Sequence, residues 1–92
     1  MFAEQLKEKI ENTYGSLDDE CGGYVNNQWL SVKDIVDLID DDDNKDSLKD
    51  KIEVKYGDLE DECGNYVRNG AWLSVKDIVD LIDECDDDED ED

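Results

Sequence analysis

Twelve consecutive residues occur twice in this chain without a change, from Trp29-Leu30-Ser31-Val32 to Asp40 and again from Trp72 to Asp83. The likeness extends upstream. Leu6, Lys7, Lys9, Ile10, Glu11, Tyr14 and Gly15 recur as Leu48, Lys49, Lys51, Ile52, Glu53, Tyr56 and Gly57. Leu17, Glu20, Cys21, Gly22, Tyr24 and Val25 recur as Leu59, Glu62, Cys63, Gly64, Tyr66 and Val67. Two copies are too few for a solenoid, which needs about three or more. A single unit of roughly 40 residues buries too little surface to be stable alone without a metal or disulfide. The expectation is one α+β domain over residues 1–92, in which two tandem αββα-like repeats form a pseudo-twofold with a shared core. Repeat one spans 2–40, an acidic linker 41–46, repeat two 47–83, and a disordered acidic tail 84–92.

Each copy carries the same order of signals. Phe2, Leu6 and Ile10 are spaced by four, with Tyr14 at the edge of the stripe, which predicts an amphipathic helix. Leu48, Ile52 and Tyr56 repeat it, with Ser47 as the N-cap. Gly15 and Gly57 follow as C′ residues. The acidic stretches from Leu17 to Gly22 and from Leu59 to Gly64 fit either a helical turn or a loop. Next comes a hairpin. The copies differ by one inserted residue, between Val25 and Trp29 on one side and Val67 and Trp72 on the other. Insertions are tolerated best at exposed loop tips. Asn26-Asn27 suits a type I′ turn, and Asn69-Gly70 a three-residue loop with glycine in the left-handed region. A two-residue turn sets Tyr24 opposite Trp29. The hairpins are expected to join across the axis into one four-stranded sheet. A second helix closes each copy. Ser31 and Ser74 are its N-caps, and Val32, Ile35, Val36 and Ile39 share its apolar face, with Leu38 at the margin.

Charge sets the second constraint. There are 30 acidic and 9 basic residues, a formal net charge of −21. Self-repulsion on this scale opposes compaction. A net charge of magnitude about 2–8 already keeps a small domain soluble, so the excess suggests a use. Asp34, Asp37 and Asp40 lie three apart and line one side of a helix, and Asp77, Asp80 and Asp83 line another. With the clusters Asp18, Asp19, Glu20 and Glu60, Asp61, Glu62, they give two lines of negative charge. These twelve residues are the expected partner-binding set. B-DNA carries two phosphate lines with one charge per about 1.7 Å of axis.

Catalysis has no foothold in the sequence. It lacks histidine, a phosphate loop, a nucleophile elbow and a zinc-hydrolase motif. Carboxylates are abundant, but no pair is set in the contrasting environments that acid–base work requires. Read as a calcium loop from Asp40, the linker puts Lys45 where glycine belongs and Lys51 where glutamate belongs, so the motif fails. A zinc site wants four N or S ligands, and the only candidates are Cys21, Cys63 and Cys85. All three are expected as free thiols without disulfides, and Cys21 and Cys63 as small, buried and apolar. Trp29, Trp72, Tyr24 and Tyr66 are expected in the core. No cofactor and no metal is therefore expected. The N-terminus has neither the basic nor the apolar part of a signal peptide. No run is long enough to span a membrane.

In size, acidity and lack of catalytic motifs the chain resembles the DNA-mimic inhibitors of phages and mobile elements. These include anti-restriction proteins, uracil-DNA glycosylase inhibitors and anti-CRISPR proteins. The resemblance covers the whole chain as composition and carries no fold and no residue with it. It implies a cytoplasmic protein of the bacterial host cell that is not an enzyme. It would occupy the basic nucleic-acid-binding surface of a defence nuclease, a CRISPR effector first and a restriction enzyme second. The partner is then a basic protein. Direct nucleic-acid binding and a membrane role are not expected, and a homo-oligomer is compatible with the sequence. The alternative is an adaptor or chaperone for a basic partner, working through the hairpin aromatics or the tail. A divalent-ion buffer comes third.

Overall fold

The computed structural model describes residues 2–67 and 70–85. The order is α1 (Phe2–Tyr14), β1 (Gly22–Val25), β2 (Gln28–Ser31), α2 (Val32–Leu38), α3 (Lys45–Tyr56), β3 (Gly64–Tyr66), β4 (Trp72–Ser74) and α4 (Val75–Glu84). It is a small α+β fold with four helices and two antiparallel two-stranded sheets. Helices α1 and α3 each pack against both α2 and α4. Leu6 and Ile10, Leu48 and Ile52, and Ile35 and Ile78 meet in one core with Leu30 and Leu73 from the strands. No helix among the described residues is long and apolar enough to cross a membrane.

The local chemistry explains each boundary. Gly15 and Gly57 end α1 and α3 with φ of 98° and 99°, a region that side-chain-bearing residues avoid. Asn26 and Asn27 take φ of 50° and 70° in the β1–β2 turn, as a type I′ turn requires. This pairs Tyr24 with Trp29 and Gly23 with Leu30. Ser31 and Ser74 have extended backbones, so each can end a strand and cap a helix at once. Their Oγ atoms accept the amides of Asp34 and Asp77 at 3.2 and 3.1 Å. Gly70 has φ of 89°, as the longer β3–β4 turn needs, while Arg68 and Asn69 lie outside the described residues. So does the tail from 86 onward.

Several expectations are corrected. The N-cap of α3 is Asn44, not Ser47. Ser47 is the third helical residue and closes a capping box, its hydroxyl accepting the Asn44 amide at 2.9 Å. The acidic stretches, left open between a helical turn and a loop, are loops as far as Cys21 and Cys63, with Gly22 and Gly64 opening β1 and β3. Glu84 is the last residue of α4 and Cys85 is buried, so these two belong to the fold and not to a tail. The hairpins do not join into one sheet. β1 does pack on β3 and β2 on β4, but the Asn65 side chain fills the space where a Cβ of Gly23 would stand. Gly23 has no side chain, and that leaves room for Asn65 between the two strands.

The duplicated segment does not end alike in its two copies. α2 stops at Leu38, whereas α4 runs on to Glu84. After Leu38 the chain must turn into α3, and Lys51 of α3 holds that turn. Its ammonium bonds the Leu38 carbonyl at 3.1 Å, Asp40 at 2.9 Å and Asp43 at 2.8 Å. Burial pushes the Asp43 carboxyl up. Hydrogen bonds from Lys51, the Asp40 amide and the Ser47 hydroxyl outweigh that and hold it below its ordinary value. The linker is thus a folded corner.

Candidate functional site: two pinned acidic loops

Each acidic loop is tied down by its own backbone and by its neighbours. In the first, the Asp18 amide bonds Ser16 Oγ at 3.2 Å and the Cys21 amide bonds Asp19 Oδ1 at 3.0 Å. In the second, the Glu60 amide bonds Asp58 Oδ1 at 2.9 Å and the Cys63 amide bonds Asp61 Oδ1 at 2.9 Å. These are local turns of the type that Ser and Asp side chains stabilise. The loops also cap the following helices. The Lys33 amide bonds the Asp19 carbonyl at 3.0 Å, and the Lys76 amide bonds the Asp61 carbonyl at 3.0 Å. These are second-position amides of α2 and α4, which have no partner inside the helix. Finally, Trp29 Nε1 donates to the Glu20 carbonyl at 3.2 Å and Trp72 Nε1 to the Glu62 carbonyl at 3.3 Å.

The twelve carboxylates therefore fall into four groups. Asp19 is 6% exposed and Asp61 is half-buried. Both hold the loops in shape and are poorly placed to meet a partner. Asp37, Asp40, Asp80 and Asp83 are exposed, but each already faces a lysine: Lys33, Lys51, Lys76 and Lys49 in turn. Asp18, Glu20, Glu60 and Glu62 are exposed at the loop tips, and none of them is ion-paired among the described residues. Asp34 and Asp77 are half-buried at the first turns of α2 and α4. Burial, and then the neighbouring carboxylate, raise the phenol pKa of Tyr56 beside Asp34 and of Tyr14 beside Asp77 well above the ordinary value. Four of the carboxylates without an ion pair among the described residues thus lie on the loops, where Asp18 and Glu20 still act on Lys33, and Glu62 on Lys76, at longer range.

The four hairpin aromatics are not in the core, although Tyr14 and Tyr56 of the helices are. Tyr24 is 71% exposed and Trp29 39%, Tyr66 66% and Trp72 40%. Each Tyr–Trp pair stacks edge to face, with ring centroids 5.1 and 4.9 Å apart. Strand alternation is the cause. Val25 and Leu30 lie on the opposite face of the hairpin from Tyr24 and Trp29, and only one face can meet the core. The smaller residues took it, as did Val67 and Leu73 in the second hairpin. The signal was available in the pairing of Tyr24 with Trp29. Cys21 and Cys63 are likewise exposed, and only Cys85 is buried. The turns closed by Asp19 and Asp61 present those two thiols to solvent.

Among the described residues no His, Cys, Asp and Glu groups are arranged to hold a metal ion. Neither a protein-family model, nor a curated protein, nor a solved structure matches this chain.

Proposed function

We propose that the protein acts by binding and not by catalysis, as a rigid stand-in for the phosphates of nucleic acid. It occupies the basic nucleic-acid-binding surface of another protein, with a defence nuclease as the target: a CRISPR effector first, a restriction enzyme second. The observation that carries this reading is the pinning of the loops. A carboxylate on a flexible loop would give up conformational freedom on binding, at about 0.5–1.5 kcal/mol per immobilised side chain, plus the cost of ordering the loop itself. Here the backbone under Asp18, Glu20, Glu60 and Glu62 is fixed by side-chain turns, helix caps and tryptophan bonds. These four residues are the primary contacts and Asp34 and Asp77 add to them. Asp37, Asp40, Asp80 and Asp83 join by exchanging their lysines for arginines of the partner.

We also infer that the two copies are related by a pseudo-twofold axis, which would set the loops out in pairs as the two strands of a duplex set out phosphates. Reciprocal bonds support it. Tyr14 Oη donates to the Trp72 carbonyl and Tyr56 Oη to the Trp29 carbonyl, at 3.1 and 3.0 Å.

The test is capture from a bacterial lysate with the purified chain as bait. Binding steered by charge should be strong at low salt and weak at high salt. The captured protein should be a nucleic-acid binder. A variant with Asp18→Asn, Glu20→Gln, Glu60→Gln and Glu62→Gln should lose it while remaining folded. Undiminished capture by that variant would sink the reading.

The exposed Tyr–Trp pairs favour one rival, an adaptor that docks through the hairpins. Tyr24→Ala with Tyr66→Ala would then abolish capture at every salt concentration, whereas the charge-neutralised variant would retain it.

A further inference from the structure

One stretch of sequence takes two conformations within this molecule. Asp37-Leu38-Ile39-Asp40 recurs as Asp80-Leu81-Ile82-Asp83, and the second set lies wholly inside α4. In the first, α2 stops at Leu38 and Ile39 turns extended at φ −80° and ψ 118°. The Asp40 amide then donates to Asp43 Oδ2 at 3.0 Å instead of continuing the helix. A helix through Asp40 is therefore open to this sequence, and contacts from outside the segment select the corner. Lys51 supplies three of them, to the Leu38 carbonyl, Asp40 and Asp43. The Ser47 hydroxyl adds a bond to Asp43 at 2.9 Å. Charge works against the corner. Asp40 to Asp43 are four successive carboxylates, and among the described residues their ion pairs are both with Lys51. Without that ammonium the run repels itself and favours an open chain.

The corner also divides the core. α2 lies against α3 and α1 against α4, while β1 lies against β3 and β2 against β4. Tyr14 bonds the Trp72 carbonyl and Tyr56 that of Trp29. Each of these contacts joins a residue before the corner to one after it. A second chain can supply the same contacts from its own α3 to α4, with the corner opened and the rest unchanged. Exchange of identical elements is a low-cost route to a dimer. Two things favour the monomer: the latch at Lys51, and the linker, which holds the halves at a millimolar effective concentration.

We propose that Lys51 is a latch against this exchange, and that the partner admitted when it opens is a second copy of this chain. In the dimer α2 runs on to Asp40 as α4 runs past Asp83, and residues 41–44 cross from one half to the other. Each core is then built from two chains, and the pinned acidic loops are presented as two full sets in one particle. This assignment holds independently of the binding reading above.

The test is size-exclusion chromatography with light scattering on the full chain, unfolded in urea and refolded at concentrations rising to about 1 mM, the effective concentration of a short linker. Salt is added to screen the repulsion between two chains of −21. Lys51→Met should move the monomer–dimer equilibrium about tenfold toward dimer, the loss of a charge-assisted bond at the corner. Asp43→Asn weakens the latch from its other side and should move it the same way by a smaller factor. Lys33→Met removes the same charge from α2, where Lys33 pairs with Asp37 away from the corner, and should stay as monomeric as the parent. Exchange has its own signature. In a dimer grown from equal parts of isotope-labelled and unlabelled chains, filtered nuclear Overhauser contacts from Tyr14 to Trp72 should run between chains. A folded Lys51→Met chain as monomeric as Lys33→Met would overturn the proposal. So would a dimer in which the Tyr14–Trp72 contact stays within one chain. If Lys51→Met fails to fold, Asp43→Asn decides by the same two readings.

Discussion

Removing a single oxygen atom from Tyr56 should measurably destabilise the protein. In a hairpin closed by a two-residue turn, Val25 and Gln28 exchange backbone hydrogen bonds and the next pair, Tyr24 and Trp29, does not. The Trp29 carbonyl therefore points away from β1, and the Tyr56 hydroxyl satisfies it at 3.0 Å. Tyr14 serves the Trp72 carbonyl in the same way at 3.1 Å. Phenylalanine keeps the buried ring and opens no large cavity, so the cost is that of the hydrogen bond and of the carbonyl it leaves. A lost bond of this kind costs about 1–2 kcal/mol, at the lower end where water can reach the carbonyl. For a domain of this size 1 kcal/mol corresponds to about 4–8 °C in Tm. Tyr14→Phe and Tyr56→Phe should each lower the urea midpoint with an unchanged m-value. They share no partner, so the double variant should show the sum of the single effects. Tryptophan fluorescence during urea titration measures this directly. Single variants within about 0.3 kcal/mol of the parent, inside the ordinary scatter of surface substitutions, would show that these hydroxyls do not tie the hairpins to the opposite helices.

Three further outcomes are expected. Ser31→Ala and Ser74→Ala should each cost about 1 kcal/mol, because each removes an N-cap that the helix amide cannot replace, and thermal unfolding by circular dichroism reads the change. Raising NaCl from low to physiological ionic strength should raise Tm, since screening relieves the repulsion of a chain at −21, and a fall would mean that the lysine–aspartate pairs outweigh it. Asp43 has its pKa lowered in the fold. Its contribution is therefore intact above the unfolded value of 3.8 and is lost as pH falls through the folded value. Asp43→Asn should lower stability at neutral pH and flatten the profile below about pH 4, in urea titrations run across that window.

Much of the fold was legible because the duplication repeats each local signal twice. The four-spaced stripes of α1 and α3, the glycine stops, the asparagine turn and the serine caps all lie in adjacent residues whose chemistry decides the conformation. What was not legible depended on distant residues. The identical segments end as different helices because Lys51, in a later element, holds the corner after Leu38. Asn65 packs into the space beside Gly23 of the other hairpin, a contact between residues far apart in the chain. Of the candidate site, the acidic clusters were plain in the sequence. Their division into loop-holding Asp19 and Asp61, lysine-paired Asp37, Asp40, Asp80 and Asp83, and unpaired loop-tip carboxylates required three dimensions. The tryptophans were misplaced for a simpler reason. Size suggested the core, but strand alternation gives each hairpin one inward face, and Val25 with Leu30 occupied it.

The central claim is that the protein and nucleic acid compete for one surface. The most direct measurement is size-exclusion chromatography of the captured partner with this chain and a duplex DNA, each at stoichiometric concentration and low salt. Mimicry predicts two mutually exclusive complexes, with excess duplex releasing the chain from its partner. Co-elution of all three in one complex would contradict it, because a surface that holds the DNA and the protein together is not one that the protein occupies in the DNA's place.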